Sequence, residues 1–260
     1  MPTVTLLAKA YNNYQLKLVD KLLKPNLKGL KVEMEVCGVT SRKWIQVAIS
    51  GEDEKIALNY LSNEFGLCPQ RLESLNKFST IKGFVTALDK NKGIVSVDIG
   101  VSSPDIIDAT IPLRHLQTQL IDGRKTALEK IIELFGFCKN LPLTTKILKI
   151  DEEENTIEAM LAERQLAQYR NWTKSLLDRL IILGAPLQDV EWALKTAECS
   201  RDVVNIESLG LFEHAVVCKL GTDAAGLMPR IGGKLRATFN IFNPRKIIEF
   251  LGDDATLLTS

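Results

Sequence analysis

The chain has 260 residues, of which 45% are hydrophobic and 25% charged. These proportions exclude a disordered, collagen-like or disulfide-stapled chain and leave room for two or three domains. Thirty-three Lys and Arg stand against 32 Asp and Glu, a formal net charge of +1, so bulk electrostatics name no partner and any nucleic-acid surface must come from local clustering.

In chain order, Val4 to Ala8 reads as an apolar strand. The helical run from Tyr14 is expected to stop near Lys24, because Pro25 disfavours helix in the residue before it. Val32, Met34 and Val36 alternate with Lys31, Glu33 and Glu35, the period-two mark of a half-buried strand, and Ile45, Val47 and Ile49 repeat it. Glu52 and Asp53 then open a helix carrying Ile56, Tyr60, Leu61 and Phe65, which Gly66 terminates. The order β-α-β-β-α predicts an α+β module over residues 1–76.

Phe84 to Leu88, Ile94 to Ile99 (ending at Gly100) and Ile107 to Leu113 supply three further strands, the first two joined by a turn over Lys90 to Gly93. Leu128, Ile131, Ile132 and Phe135 form a helix closed by Gly136, and Thr144 to Ile150 and Thr156 to Leu161 add two strands around an acidic turn. Three strands, a helix and two strands is the order of an OB-type barrel, here over residues 77–170. Residues 171–260 read as helices at Lys174 to Leu183 and after Pro186 through Ala197, strands at Val203 to Ile206 and Ala215 to Leu220, and a short helix capped by Asp223. A strand from Lys234 to Phe242 follows, then a last helix from Asn243 and Pro244 to Gly252. The expected fold class is multi-domain α+β, with a central barrel between two flanking modules.

The barrel region resembles the ribosomal S1-type branch of the OB superfamily. The resemblance rests on Lys82 to Val85, Gly93 to Gly100, Ile111 to Leu113 with Leu116, and Lys146 to Asp151 followed by Ile157 to Leu161. It implies single-stranded RNA or ribonucleoprotein binding on a barrel face where aromatic rings stack bases. The strand Ile94 to Ile99 carries no Phe or Tyr, and Phe84 is the aromatic nearest to it, so a protein-docking barrel is the alternative. Taken whole, the chain resembles an uncharacterised archaeal family designated domain of unknown function 2110. That match rests on Thr3 to Lys9, Glu64 to Gly66 with Cys68 and Pro69, Glu133 to Phe137 with Leu141 and Pro142, and above all Glu213 to Leu227. It implies an archaeal, intracellular setting and brings no catalytic residue.

No catalytic, cofactor or metal site is expected. Gly221 and Gly226, with Thr222 between them, have the glycine spacing of a phosphate-binding loop, but Leu227 and Met228 replace its Lys and hydroxyl residue. What remains is a turn whose amides bind one phosphate, with Asp223 as a helix cap and Gly226 allowing close packing. His214 and Cys218, four residues apart on a strand, would be separated by roughly 13 Å, beyond hydrogen-bond reach. Asp98, Asp105 and Asp108 surround one loop and are read as turn chemistry in preference to a magnesium site. Five scattered cysteines without a C-x-x-C pair, Cys37, Cys68, Cys138, Cys199 and Cys218, are read as buried small hydrophobes.

Local charge is the stronger signal. Arg230, Lys234, Arg236, Arg245 and Lys246 occur without an acid between Met228 and Ile248, with Phe239 and Phe242 interleaved, and Lys17, Lys21 and Lys24 share one helical face. The expectation is a non-enzymatic, cytoplasmic RNA-binding or ribonucleoprotein-associated protein without cofactor. A protein-binding adaptor of the transcription or translation machinery is the first alternative, and a metal-dependent nucleic-acid enzyme the second. The opening residues carry no signal-peptide pattern, and no apolar run approaches the ~20 residues of a bilayer span, so no membrane partner is expected.

Overall fold

A computed structural model describes residues 2–252. The chain divides into two compact units, whose described parts are residues 2–74 with 100–106, and residues 75–99 with 107–252. No helix among the described residues is long and apolar enough to cross a membrane.

In the first unit, strands β1 (Thr3–Lys9), β2 (Val32–Val39) and β3 (Trp44–Gly51) form an antiparallel sheet in the order β1-β3-β2. Ile45, Val47 and Ile49 of central β3 are fully buried, whereas edge strand β2 exposes Glu33 and Glu35. Cys37 shares the parity of those glutamates and is exposed with them, so it is not the buried residue expected. Helix α1 (Asn13–Asn26) starts at Asn12, whose side chain accepts from the Gln15 amide at 2.9 Å, and it buries Val19 and Leu23. It does not stop at Lys24. Pro25 sits in the last turn, where it removes one amide only, and the Leu27 amide still reaches the Leu23 carbonyl at 3.2 Å. Helix α2 (Glu54–Glu64) buries Ala57 and Leu61 but leaves Ile56 exposed, and two-residue β4 (Gln70–Arg71) pairs in parallel with Val101 and Ser103.

The second unit contains the barrel. Its strands are β5 (Thr80–Asp89), β6 (Ile94–Ser103), β7 (Ile107–Pro112), β8 (Pro142–Asp151) and β9 (Thr156–Leu161). β6 pairs with β5 and β7, β5 with β8, β8 with β9, and β9 closes on β7 in parallel. This is the pairing order of an OB barrel, closed around Val85, Val97, Ile99, Ile111, Ile147 and Ile157. Gly83 is required where β5 crosses β6, since a Cβ there would lie 2.6 Å from the Asp98 carbonyl oxygen. β6 does not end at Gly100. That glycine, at φ +86°, lets the strand continue past Cys68, whose Sγ would stand 2.5 Å from an added Cβ. Between β7 and β8 two helices stand where one was expected, α3 (Leu113–Leu120) and α4 (Leu128–Phe135), the latter ended by left-handed Gly136.

Helix α5 (Glu163–Lys174) leads into β10 (Arg179–Leu183), so the helix expected over Lys174 to Leu183 is instead a helix end, a turn and a strand. All five residues of β10 are buried, and a continuous apolar run has no period that tells a two-sided strand from a helix. Helix α6 (Leu187–Thr196), β11 (Val203–Ser208), β12 (Glu213–Cys218), α7 (Ala224–Gly232), β13 (Thr238–Phe242) and α8 (Pro244–Leu251) follow. The strand expected from Lys234 begins only at Thr238, because Gly232 and Gly233 end α7 and Leu235 turns back into its core. The antiparallel sheet β11-β12-β10-β13 packs Leu180, Ile182, Val216 and Cys218 against Val190 and Leu194 of α6 and Leu227 and Ile231 of α7. Its other face meets an aromatic cluster that draws Phe135 from α4, Tyr169 and Trp172 from α5 and Phe242 from β13, with edge-to-face centroid distances of 5.4 Å (Phe135 to Tyr169) and 5.1 Å (Trp172 to Phe242). This cluster joins α4 and α5 to the C-terminal sheet.

Candidate nucleic-acid interface

The groups with catalytic potential are spread apart or neutralised. Among the described residues, no set of three or more His, Cys, Asp or Glu is placed to hold a metal. Asp98 is buried in the barrel, Asp105 is exposed in the other unit, and Asp108 accepts a 2.6 Å bond from the Thr86 hydroxyl. His214 is 2% exposed and donates from Nε2 to the Ala185 carbonyl at 3.0 Å, while Nδ1 is buried without a partner among the described residues. Burial pushes its pKa below the usual histidine value, and burial likewise pushes the Cys218 thiol up to about 11. His115 lies against Glu158, with Nε2 at 2.8 Å from the carboxylate.

In the glycine turn, Gly221 adopts φ +88° and the Thr222 amide donates to the Lys219 carbonyl at 2.9 Å. Asp223 caps α7 by accepting from the Ala225 amide at 2.9 Å, and Asp178 accepts from the Ala224 amide at 3.3 Å. The Thr222, Ala224 and Ala225 amides are thus used within the chain, the last two by carboxylates. A Cβ on Gly226 would meet nothing within 4 Å, so close packing does not explain that glycine.

The cations singled out in the sequence lie on several elements. Arg230 is held by Asp202 at 3.0 Å and the Ala197 carbonyl at 3.2 Å, and Lys246 lies 3.4 Å from Glu133. Lys234, Arg236 and Arg245 are exposed, whereas Phe239 is half-buried against the sheet core and Phe242 is fully buried. On α1, Lys17, Lys21 and Lys24 are exposed, with Lys24 bonded to Asp20 at 2.6 Å.

The structure assembles another set. On the β5–β8 pair, Thr80 stands opposite Lys146 and Lys82 opposite Thr144. Alternation turns Thr145 and Ile147 inward, so these four side chains share the outer face. Just before β5, Phe78 is 60% exposed, and its amide donates to the Ile147 carbonyl at 2.8 Å. The ring is flanked by the Lys77 and Lys146 ammonium groups, 5.1 and 5.7 Å from its centroid.

From Phe78 the outer face leads to a cleft of about 710 Å³, walled by β5, β8, α5 and the end of β11. Lys82 enters it and donates to the Leu209 carbonyl at 2.6 Å, and Arg164 stands exposed on its α5 wall. Burial lowers the Lys82 pKa below the usual lysine range; the Glu213 carboxylate opposes this, and the Arg164 charge adds to it. Deeper in, Arg179 bonds Glu207 at 3.3 Å and covers the Trp172 ring at 5.0 Å, while the Trp172 indole N–H donates to Glu207 at 2.7 Å. Glu207 is thereby neutralised, which leaves Lys82 and Arg164 as the cations of the cleft, with the Glu213 carboxylate acting on Lys82. Sequence reading missed Phe78 as a platform. The adjacent Lys77 and Phe78 were a visible signal, but the register that sets Lys146 beside them joins residues 66 positions apart.

Fold and surface together define an α+β protein built on an OB barrel that carries a cationic, aromatic outer face. Family models match the chain over residues 3–71 (DUF2110 N-terminal domain), 76–173 (DUF2110 central domain) and 177–241 (DUF2110 C-terminal domain), and the chain belongs to the DUF2110 family. No curated protein sequence matches it. Among solved structures, it is similar to the uncharacterized protein MJ1198 from Methanocaldococcus jannaschii at 10% identity, covering 34% of this chain and 95% of that one, with a TM-score of 0.23. It is also similar to a chain in the a/eIF2alpha-aDim2p-rRNA complex from Pyrococcus horikoshii OT3 at 8% identity, covering 50% of this chain and 70% of that one, with a TM-score of 0.26.

Proposed function

We propose that this protein is a non-enzymatic, cytoplasmic RNA-binding or ribonucleoprotein-associated protein that takes single-stranded RNA along the outer β5–β8 face of its barrel. The observation that carries the reading is Phe78, a ring 60% exposed on a barrel and flanked by two ammonium groups. An exposed ring gives any base a stacking surface, and adjacent lysines neutralise the phosphates on either side of it. Lys234 and Arg236 are exposed and offer further cations, whereas Arg230 already has an acidic partner.

Fluorescence anisotropy with a labelled single-stranded RNA, from low to physiological salt, tests this. Phe78→Ala is expected to weaken binding by about 1–3 kcal/mol, roughly five- to 150-fold, the range for loss of one base stack. Replacing Lys77 and Lys146 with Glu is expected to flatten the log-log salt slope by about 0.7 for each lost phosphate contact. Absence of RNA binding at low salt would defeat the proposal.

A protein-binding adaptor is the second reading. Leu187, Trp192 and Val204 expose 42%, 57% and 55% of their surfaces, and Leu187 and Val204 line a groove between α6 and edge strand β11. Trp192→Ser would then abolish capture of a partner and leave RNA affinity unchanged.

A further inference from the structure

We infer that the cleft beyond Lys82 is a phosphate-monoester site sized for one nucleotide, which seats the phosphorylated end of a single strand. The inference rests on the RNA-binding reading for its polymer and on the cleft for its chemistry. Lys82 on β5 and Arg164 on α5 both line the cleft and supply two cations. Among the described residues, Lys82 makes its one hydrogen bond to a backbone carbonyl, and Arg164 has no ion pair. Two like charges facing one opening repel, and a dianion between them turns that repulsion into two charge-assisted contacts. Burial is the main cause of the low Lys82 pKa; the Glu213 carboxylate opposes it, and the Arg164 charge adds a smaller lowering.

The remaining walls suit a nucleoside. About 710 Å³ lies within the range of small-molecule sites. Gln168 gives its side-chain oxygen to Gln165 at 3.0 Å and keeps its NH₂ group to donate. Asn171 adds an exposed amide on the same wall, and side-chain amides of this kind read base edges. Direction follows from the fold. The Lys82 bond to Leu209 ties β5 to the turn after β11 at the wall of the cleft, and a strand that stacks on Phe78 is led along β5 towards it.

The test uses the full chain and three probes: one RNA sequence bearing a 5′-phosphate, the same sequence with a 5′-hydroxyl, and adenosine 5′-monophosphate. The phosphorylated strand is expected to bind about tenfold tighter than the hydroxyl strand, the ratio expected of one added charge-assisted pair. Lys82→Met and Arg164→Gln should each erase that preference, read as the ratio of the two strands' affinities, whereas Phe78→Ala should weaken both strands alike and keep the ratio. Competition by the mononucleotide that depends on Lys82 would show that the site also accepts the free monoester. Its absence alongside a retained end preference assigns the site to polymer ends. Equal affinity for both strands, with no mononucleotide binding, overturns the inference while the RNA-binding reading stands. If neither strand binds, the RNA-binding reading fails on its own, and Lys82-dependent mononucleotide binding decides the cleft.

Discussion

His214 and Lys82 are both shifted towards their neutral forms by burial, and each gives a signed pH dependence. The imidazole of His214 is lodged between β12 and the Ala185 carbonyl, and its folded pKa lies below the unfolded value near 6.5. The unfolded chain therefore binds more protons, and stability present above about pH 6.5 is lost as pH falls towards the folded pKa. Thermal melting is expected to drop between pH 7 and pH 5, and His214→Gln, which keeps an amide donor for Ala185, is expected to drop less. Identical curves for the two proteins would remove His214 from the acid response. For Lys82 the lowered pKa means that its charge disappears at a lower pH than that of an exposed lysine. Any preference for phosphorylated strands should therefore fade on the alkaline side, while Lys82→Arg, whose guanidinium stays charged, should hold it across the range.

Among the elements, those whose pattern is local were readable. The order of the barrel strands followed from period-two alternation between turn signals, and α4 from Leu128, Ile131 and Phe135 before a left-handed glycine. β10 was not readable, because its apolar residues are contiguous and buried on both faces. The outer β5–β8 face was hidden for another reason. Lys82 and Lys146 could each be placed on a strand, but only the non-local register puts Thr80 against Lys146 and hence a lysine beside Phe78. The C-terminal basic run was visible as a string of letters, yet the fold pairs Arg230 with Asp202 and turns Phe242 into the core. That ring lies 6.0 Å from Tyr169 and 5.1 Å from Trp172. Phe242→Ala should therefore cost about 3–5 kcal/mol, read as a lower denaturant midpoint with an unchanged slope. A loss under 1 kcal/mol would mean that the cluster collapses around the gap.

At the scale of the molecule, the aromatic cluster decides how the chain can be cut. The sequence divided it at residues 76 and 170, which would make 77–170 an autonomous barrel. That fragment keeps Phe135, Phe137 and Tyr169 but loses Trp172 and Phe242, and it severs α5 before its last turn. Rings that are fully buried in the native unit would then face water, at roughly 25 cal/mol for each Å² exposed. A fragment spanning 75–252 keeps every member of the cluster. It lacks β4, the pairing partner of Val101 and Ser103, which belongs to the first unit. The 75–252 fragment is expected to unfold in a single cooperative transition, with new proteolytic cleavage confined to 100–106, a segment left without its pairing strand. The 77–170 fragment is expected to bind the hydrophobic dye ANS and to melt broadly. Circular dichroism melting, dye fluorescence and limited proteolysis on both fragments make the comparison. A sharp transition for 77–170 at the temperature of the longer fragment would show that the barrel core stands without the C-terminal sheet, and would return the boundary to residue 170.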